Sequence, residues 1–239
     1  MNSREPPLDT AEEAPHSGAL FSRIVGRYDL MNRIMSAGRD LSWRREAAQQ
    51  AELPPHGLAL DVGTGSGDLA LALARLYPTA RVVGVDLVPA MIDLARHKAR
   101  APGVADRLAF VLGGALTLPF PDGVFDAVTS AYLLRNLADL EGGIREMARV
   151  LRPGGRLVAL EAVRPNSRLA RFYIQCFIPT LGAWIARDRA AYAYLAHSIL
   201  NFLTPKQIQE SLRRAGFEAV HDRRLALGAM LILSGRKSI

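Results

Sequence analysis

The sequence predicts an α/β fold: a mostly parallel sheet with helices on both faces, closed by an antiparallel hairpin at the C-terminal end. Three observations carry this. Short apolar runs alternate with amphipathic stretches from Leu58 to Glu161, the rhythm of strand–helix–strand units. The first apolar run, Leu58–Leu60, leads through Asp61 into Gly63-Thr-Gly-Ser-Gly67 and then a helical pattern, which is a nucleotide-sized turn between strand and helix. Beyond a long aromatic-rich segment, Phe217–Val220 and Leu225–Leu233 read as two final strands, with a bend at Gly228.

In chain order, residues 1–19 are polar, with Pro6, Pro7 and Pro15, and read as a disordered tail without the apolar core of a signal peptide. Leu20–Met35 has helical apolar spacing, softly broken at Gly26, and Leu41–Ala51 is a second helix carrying Trp43. The units that follow are a helix over Asp68–Tyr77, a strand over Arg81–Val85 and a helix over Pro89–Arg100, with proline in its first turn. Strands are expected at Leu108–Leu112, Phe125–Ala131 and Arg156–Glu161, with a helix at Leu140–Leu151 stopped by Pro153-Gly-Gly155. Residues 165–203 break the rhythm as a helical insertion, and Pro205–Ala215 is a last helix. The length of 239 residues suits one domain, 20–239, with 165–203 as its cap.

The net charge of +7 and a pI near 10.1 raise nucleic acid as a partner. Almost all of that charge is arginine, lysine occurring only at Lys98, Lys206 and Lys237, and no added binding domain or Pro-Pro-(Tyr/Phe) segment follows the fourth strand. No nucleic-acid partner is expected. Cys176 is the single cysteine and sits among apolar residues, so it is expected to be a small buried hydrophobe. His16, His56, His97, His197 and His221 show no metal-ligand spacing, and no metal is expected. No apolar run reaches the roughly 18 residues of a membrane span. A cytoplasmic location follows, with contact at the inner membrane face open.

The loop decides the nucleotide. Its glycines alternate and a carboxylate, Asp61, directly precedes them; carboxylate beside a pyrophosphate is repulsive. A ligand with an amino group and a sulfonium is attracted instead, which favours S-adenosylmethionine over NAD. Asp86 ends the next strand, about 20 residues on, where a carboxylate takes both ribose hydroxyls.

With these pieces in place, the sequence from about Leu20 onward resembles the class I S-adenosylmethionine-dependent methyltransferases. Within them it is most similar to the ubiquinone/menaquinone-biosynthesis C-methyltransferases. The matching segments are Tyr28-Asp-Leu-Met-Asn32, Leu118-Pro-Phe-Pro-Asp122, Leu134-Arg-Asn136, Val150-Leu-Arg-Pro-Gly-Gly-Arg-Leu157, Leu160-Glu161 with Pro165, and Tyr192-Ala-Tyr-Leu-Ala196. The first and third are narrow signals, whereas the glycine loop and the Pro-Gly-Gly turn are shared widely. The resemblance implies a Rossmann-like sheet. It implies that Gly63, Thr64, Gly65, Ser66 and Gly67 wrap the methionine part of the cofactor, that Asp86 holds the ribose and that Leu87 lies against adenine. The family usually has Asp or Asn at Gly114, beside Ala115, and Ser at Ala131. Each loss removes a side-chain hydrogen bond worth about 0.5–1.5 kcal/mol, and the backbone N–H of Ala115 remains to meet adenine.

Methyl transfer to a ring carbon needs an electron-rich ring, so the expected acceptor is a prenylated hydroquinone rather than its quinone. Arg135, just past the fourth strand, is expected to stabilise developing phenolate. Tyr28 is expected to hydrogen-bond the substrate oxygen and Asp86 to relay a proton through water; Asn136 fixes the loop or touches substrate. His197 is an alternative proton acceptor. The apolar stretch Phe172–Ala186, flanked by Arg168, Arg171, Arg187 and Arg189, suits a greasy acceptor or a membrane surface; a core-packed or homodimer-forming helical pair is the other reading. Two further functions stay open: a small-molecule O-, N- or C-methyltransferase of secondary metabolism, and a cofactor-binding protein without turnover.

Overall fold

A computed structural model describes residues 25–186 and 189–239. The expected disordered tail and Arg187 lie outside these residues. Seven strands form one sheet in the order β3-β2-β1-β4-β5-β7-β6: β1 (Leu58–Val62), β2 (Arg81–Asp86), β3 (Leu108–Leu112), β4 (Phe125–Ala131), β5 (Leu151–Ala162), β6 (Phe217–Leu225) and β7 (Met230–Lys237). The first five run parallel, and β7 pairs antiparallel with both β5 and β6. Strand order reverses beside β1, which pairs β2 on one side and β4 on the other. At such a reversal the connections leave toward opposite faces, so a crevice opens at the strands' C-terminal ends.

Helices cover both faces. On one side, α1 (25–35), α2 (Asp40–Gln50), α3 (Asp68–Leu76) and α4 (Pro89–Ala99) share a core with Ala59, Val82 and Phe110 of the sheet. On the other, α5 (Leu140–Val150) and α9 (Pro205–Arg214) pack Ile144, Met147, Ile208 and Leu212 against Leu60, Val128 and Leu157. Burying each such side chain contributes roughly 1.5–3 kcal/mol. Local signals set the ends: Asp139 accepts from the Gly142 N–H at the start of α5, and Thr204 and Gln207 close a capping box on α9.

The insertion is helical. α6 (Arg168–Phe172) runs through a π-helical stretch (Tyr173–Phe177), α7 (Ile178–Leu181) and a second π-helical stretch (Gly182–Ala186); α8 (Arg189–Asn201) follows. Two expectations change. The final hairpin turns at Ala226–Gly228, and the charged run His221–Arg224, which falls between the two expected strands, belongs to β6, where charge suits an exposed strand edge. Cys176 is exposed, because it lies on the outward side of the cap helix.

Candidate active site

β1 delivers the chain into the crevice, where Gly63, Gly65 and Gly67 take φ of +63°, +54° and +82°. These left-handed values are open to glycine at little cost and let the loop fold back on itself. Gly63 also has no room for a side chain, since a Cβ there would stand 2.7 Å from Leu133 Cδ1.

Asp61 braces this turn from inside. Its carboxylate is buried and accepts from Thr64 Oγ1 at 2.7 Å and Thr129 Oγ1 at 2.9 Å. Burial pushes its pKa up to about 6, against the pull of those two hydroxyls. Ser66 Oγ donates to Asp29 Oδ1 of α1 at 2.6 Å, and Lys98 Nζ donates to Ser66 Oγ at 3.1 Å and to Asp29 Oδ2 at 2.8 Å. Lys98 also pairs with Asp68, which Arg33 reaches at 3.3 Å. Burial alone would raise the pKa of Asp68; Lys98, Arg44 and Arg33 outweigh it and hold it below the ordinary carboxylate value.

A cavity of about 210 Å³ lies in front of the loop, lined by Gly63, Gly65, Asp86, Leu87, Gly114 and Ala115 together with Tyr28, Ala131 and Asn136. The remaining candidates, Asp61, Thr64, Ser66 and Gly67, stand behind this lining, where they hold the loop in shape. Asp86 Oδ2 accepts from the Gly65 N–H at 2.8 Å and Oδ1 from the Val88 N–H at 2.9 Å. Burial raises its pKa, and the N–H groups of Val88, Gly65 and Leu87 oppose that rise. The residues fit a nucleoside: a fixed carboxylate for vicinal hydroxyls, the apolar Leu87 side chain 61% exposed as a wall, and no Cβ on Gly65 or Gly114. Val88, Met91, Leu133 and Leu137 also line this cavity and were not picked out from the sequence, which marks them only as apolar.

A second cavity of about 530 Å³ lies beneath the cap. Tyr28, Tyr132 and Asn136 line both cavities, so the two adjoin. Its walls are Asn32, Met35, Trp43, Tyr173, Ile174, Tyr192, Leu195 and Met230 among others, with Arg135 as a cationic member. The Arg135 side chain is 5% exposed; its Nη1 meets Glu161 Oε1 at 2.5 Å and the Tyr132 carbonyl at 2.9 Å. Its Nε is buried and, among the described residues, has no hydrogen-bond partner. Asn136 Nδ2 donates to the same carbonyl at 2.9 Å. Glu161, 1% exposed at the end of β5, also accepts from the Ala162 N–H at 2.8 Å. Its only sequence signal is membership of the Leu160-Glu161 segment; its pairing across β4 and β5 leaves no local pattern.

His197 is not in this lining. It is exposed on α8 beside Asn201 Nδ2, so the structure removes it as a proton acceptor in the cavity. Among the described residues, no group of three or more His, Cys, Asp or Glu is placed to hold a metal ion.

Residues 9–237 match the ubiE/COQ5 methyltransferase family. The chain is 44% identical over 219 residues to a demethylmenaquinone methyltransferase of Deinococcus radiodurans, covering 90% of each. It is 39% identical to a ubiquinone/menaquinone biosynthesis C-methyltransferase of Desulfotalea psychrophila, covering 94% of this chain and 92% of that one. A Thermotoga maritima S-adenosylmethionine-dependent methyltransferase of known structure superposes with a TM-score of 0.66 at 20% identity, over 92% of this chain and 99% of that one. At that identity it speaks for the fold alone. These relatives do not favour a role in secondary metabolism, and family and fold imply S-adenosylmethionine as methyl donor. The chain belongs to the ubiE/COQ5 methyltransferase family, as an S-adenosylmethionine-dependent C-methyltransferase.

Proposed function

We propose that the protein methylates a ring carbon of a prenylated hydroquinone, demethylmenaquinol or a ubiquinol precursor, in respiratory quinone biosynthesis. The observation that carries this reading is the adjoining pair of cavities, one formed by the glycine loop and the Asp86 carboxylate, the other larger, apolar and aromatic. S-Adenosylmethionine supplies an activated methyl group on a sulfonium. As the new carbon–carbon bond forms, the carbon–sulfur bond breaks, its electron pair stays on sulfur, and the ring then loses a proton to recover aromaticity.

The protein's part is alignment and exclusion of water. In this reading Asp86 and Leu87 hold the nucleoside while Gly63 and Gly65 let the backbone approach; Asp61, Thr64, Ser66 and Gly67 keep that loop in shape. Gly114 and Ala115 border the adenine. Arg135 meets the acceptor oxygen. An unpaired buried donor costs about 1–3 kcal/mol, and an oxygen at Nε offsets that cost. Glu161 balances the guanidinium charge, so Arg135 acts as an oriented donor more than as a free cation. Tyr28, at the junction of the cavities, supports the same oxygen. Asn136 holds the turn that presents Arg135. Asp86 also serves a water-mediated proton path out of the site.

Labelled S-adenosylmethionine offered with demethylmenaquinol and with its oxidised quinone tests the reaction. Turnover is expected only with the hydroquinone; equal turnover of both would sink this reading. Arg135→Ala is a poor probe, because it leaves Glu161 buried and unpaired at about 3–5 kcal/mol. Arg135→Lys keeps the charge but loses the planar fork. It is expected to cut kcat by about 10²-fold while cofactor binding, read by calorimetry, stays within about twofold. Parallel losses in both would reassign Arg135 to the cofactor.

Peripheral membrane contact belongs to the same reading. Leu169, Phe172 and Trp184 of the cap are 66%, 64% and 84% exposed, and Leu169 also lines the acceptor cavity. Leu227, exposed at the same cavity mouth, adjoins a recess formed with Arg164, Lys206 and Arg224. An apolar rim with cations beside it suits an anionic bilayer surface.

A further inference from the structure

We propose that the ring of Tyr132 positions the acceptor ring against the methyl donor. The inference rests on the reading of the larger cavity as the acceptor site. Tyr132 follows β4 directly and lines both cavities, so it stands at the junction the methyl group must cross. Its backbone has φ of +61°. A tyrosine in the left-handed region is strained, and such strain persists only where the surroundings over-determine it. Here they do. The Tyr132 N–H donates to the Leu160 carbonyl at 2.8 Å, and its own carbonyl accepts from Arg135 Nη1 and Asn136 Nδ2, both at 2.9 Å.

The side chain is held as firmly as the backbone. The guanidinium carbons of Arg44 and Arg135 lie over the ring, 5.0 and 5.8 Å from its centroid. Arg44 is 4% exposed, pairs with Asp40 at 3.8 Å, and does not line either cavity. A buried cation braced by a buried carboxylate therefore backs the aromatic ring of a residue that lines both cavities. Burial also holds the phenol neutral well above its ordinary range. Fixing a ring in this way costs the fold local strain, and a flat wall of fixed tilt at the junction selects which acceptor carbon can lie in line with the carbon–sulfur bond.

The test uses three variants and three readouts: kcat and KM with the hydroquinone, the Kd of S-adenosylmethionine, and the position of the methyl group in the product. Tyr132→Gly takes the same φ without strain and keeps the carbonyl that anchors Arg135 and Asn136. It is expected to lose about 100-fold in kcat/KM, as displacement of reacting atoms by about 1 Å does, and to scatter the methyl position, with cofactor Kd within about threefold. Tyr132→Phe restores the ring and is expected to recover wild-type regiochemistry and most of the rate. Tyr132→Asn, which also tolerates φ above zero, repeats the Gly result should that variant fail to fold. A Gly variant within about threefold of wild type in kcat/KM, a cofactor Kd that weakens in proportion to the rate, or a Phe variant as poor as Gly would each overturn the inference. Wild-type protein inert toward the hydroquinone would instead overturn the functional reading, so the two failures are distinct.

Discussion

Asp61 shows how one side chain's environment becomes measurable. Its folded pKa of about 6 lies above the ordinary 3.8, so between these values the folded protein keeps a proton that the unfolded chain has released. Stability contributed by this group is therefore full below about pH 4 and declines as pH rises to about 6, by on the order of 3 kcal/mol. Asp61→Asn has no such proton. Thermal unfolding of both proteins from pH 4 to pH 7 is expected to show wild type losing ground to Asp61→Asn across that window; parallel curves would refute the assignment. Gly114 gives a second residue-scale prediction. A Cβ there meets nothing nearer than Leu87 Cδ1 at 3.9 Å, and its φ is not in the left-handed region, so a side chain enters the smaller cavity without strain. Gly114→Asn adds one hydrogen-bonding amide beside the adenine position. Calorimetry is expected to show S-adenosylmethionine binding tightened roughly three- to tenfold, the worth of one hydrogen bond of about 0.5–1.5 kcal/mol. Unchanged or weaker affinity would mean that adenine lies elsewhere.

At the scale of elements, α1 is pinned at both ends. Asp29 ties it to Ser66 and Lys98 over the glycine loop, while Arg27 Nη1 donates to the Ile185 carbonyl and Tyr173 Oη to the Met35 carbonyl of the cap–α1 seam. Tyr28 sits between these ties. Asp29→Ala removes a mostly buried ion pair and a hydrogen bond from Ser66, together worth about 1–2 kcal/mol, so the melting temperature is expected to fall by several degrees. KM for the acceptor is expected to rise several-fold, because Tyr28 loses its anchor; an unchanged KM would show that α1 holds its place without this tie. None of these ties was legible in the sequence, since Asp29, Ser66, Asp68 and Lys98 are brought together only by the crossing of α1, α3 and α4. The strand–helix rhythm was legible, because the central strands β1 and β4 are buried on both faces and, like β2 and β3, read as short apolar runs. The edge strand β6 was half missed for the opposite reason: its outer residues, His221 to Arg224, are polar. The glycine loop and Asp86 were readable from local spacing. Tyr132, Arg44 and Glu161 were not, because left-handed strain, cation–ring stacking and a buried ion pair across strands are properties of the assembled molecule.

For the whole molecule, the arrangement that matters is a cavity for an apolar acceptor opening beside exposed apolar side chains and cations. Among the described residues no helix is long and apolar enough to cross a membrane. The net charge of +7 favours an anionic surface, with each arginine near it worth about 1 kcal/mol. Wild-type protein is expected to co-sediment with phosphatidylglycerol-containing vesicles at low salt, poorly with purely zwitterionic ones, and less as ionic strength rises. Arg168→Glu with Arg171→Glu is expected to weaken that binding by more than tenfold, and Trp184→Ser to weaken it on both vesicle types, because the first acts through charge and the second through buried apolar area. All three residues stand outside the two cavities, so turnover of a short-tailed, detergent-soluble hydroquinone is expected to persist in each variant. Co-sedimentation that ignores the charge reversals would end the membrane assignment. Loss of a concentration-dependent dimer in Trp184→Ser, measured by sedimentation without vesicles, would instead hand this face to a second copy of the chain.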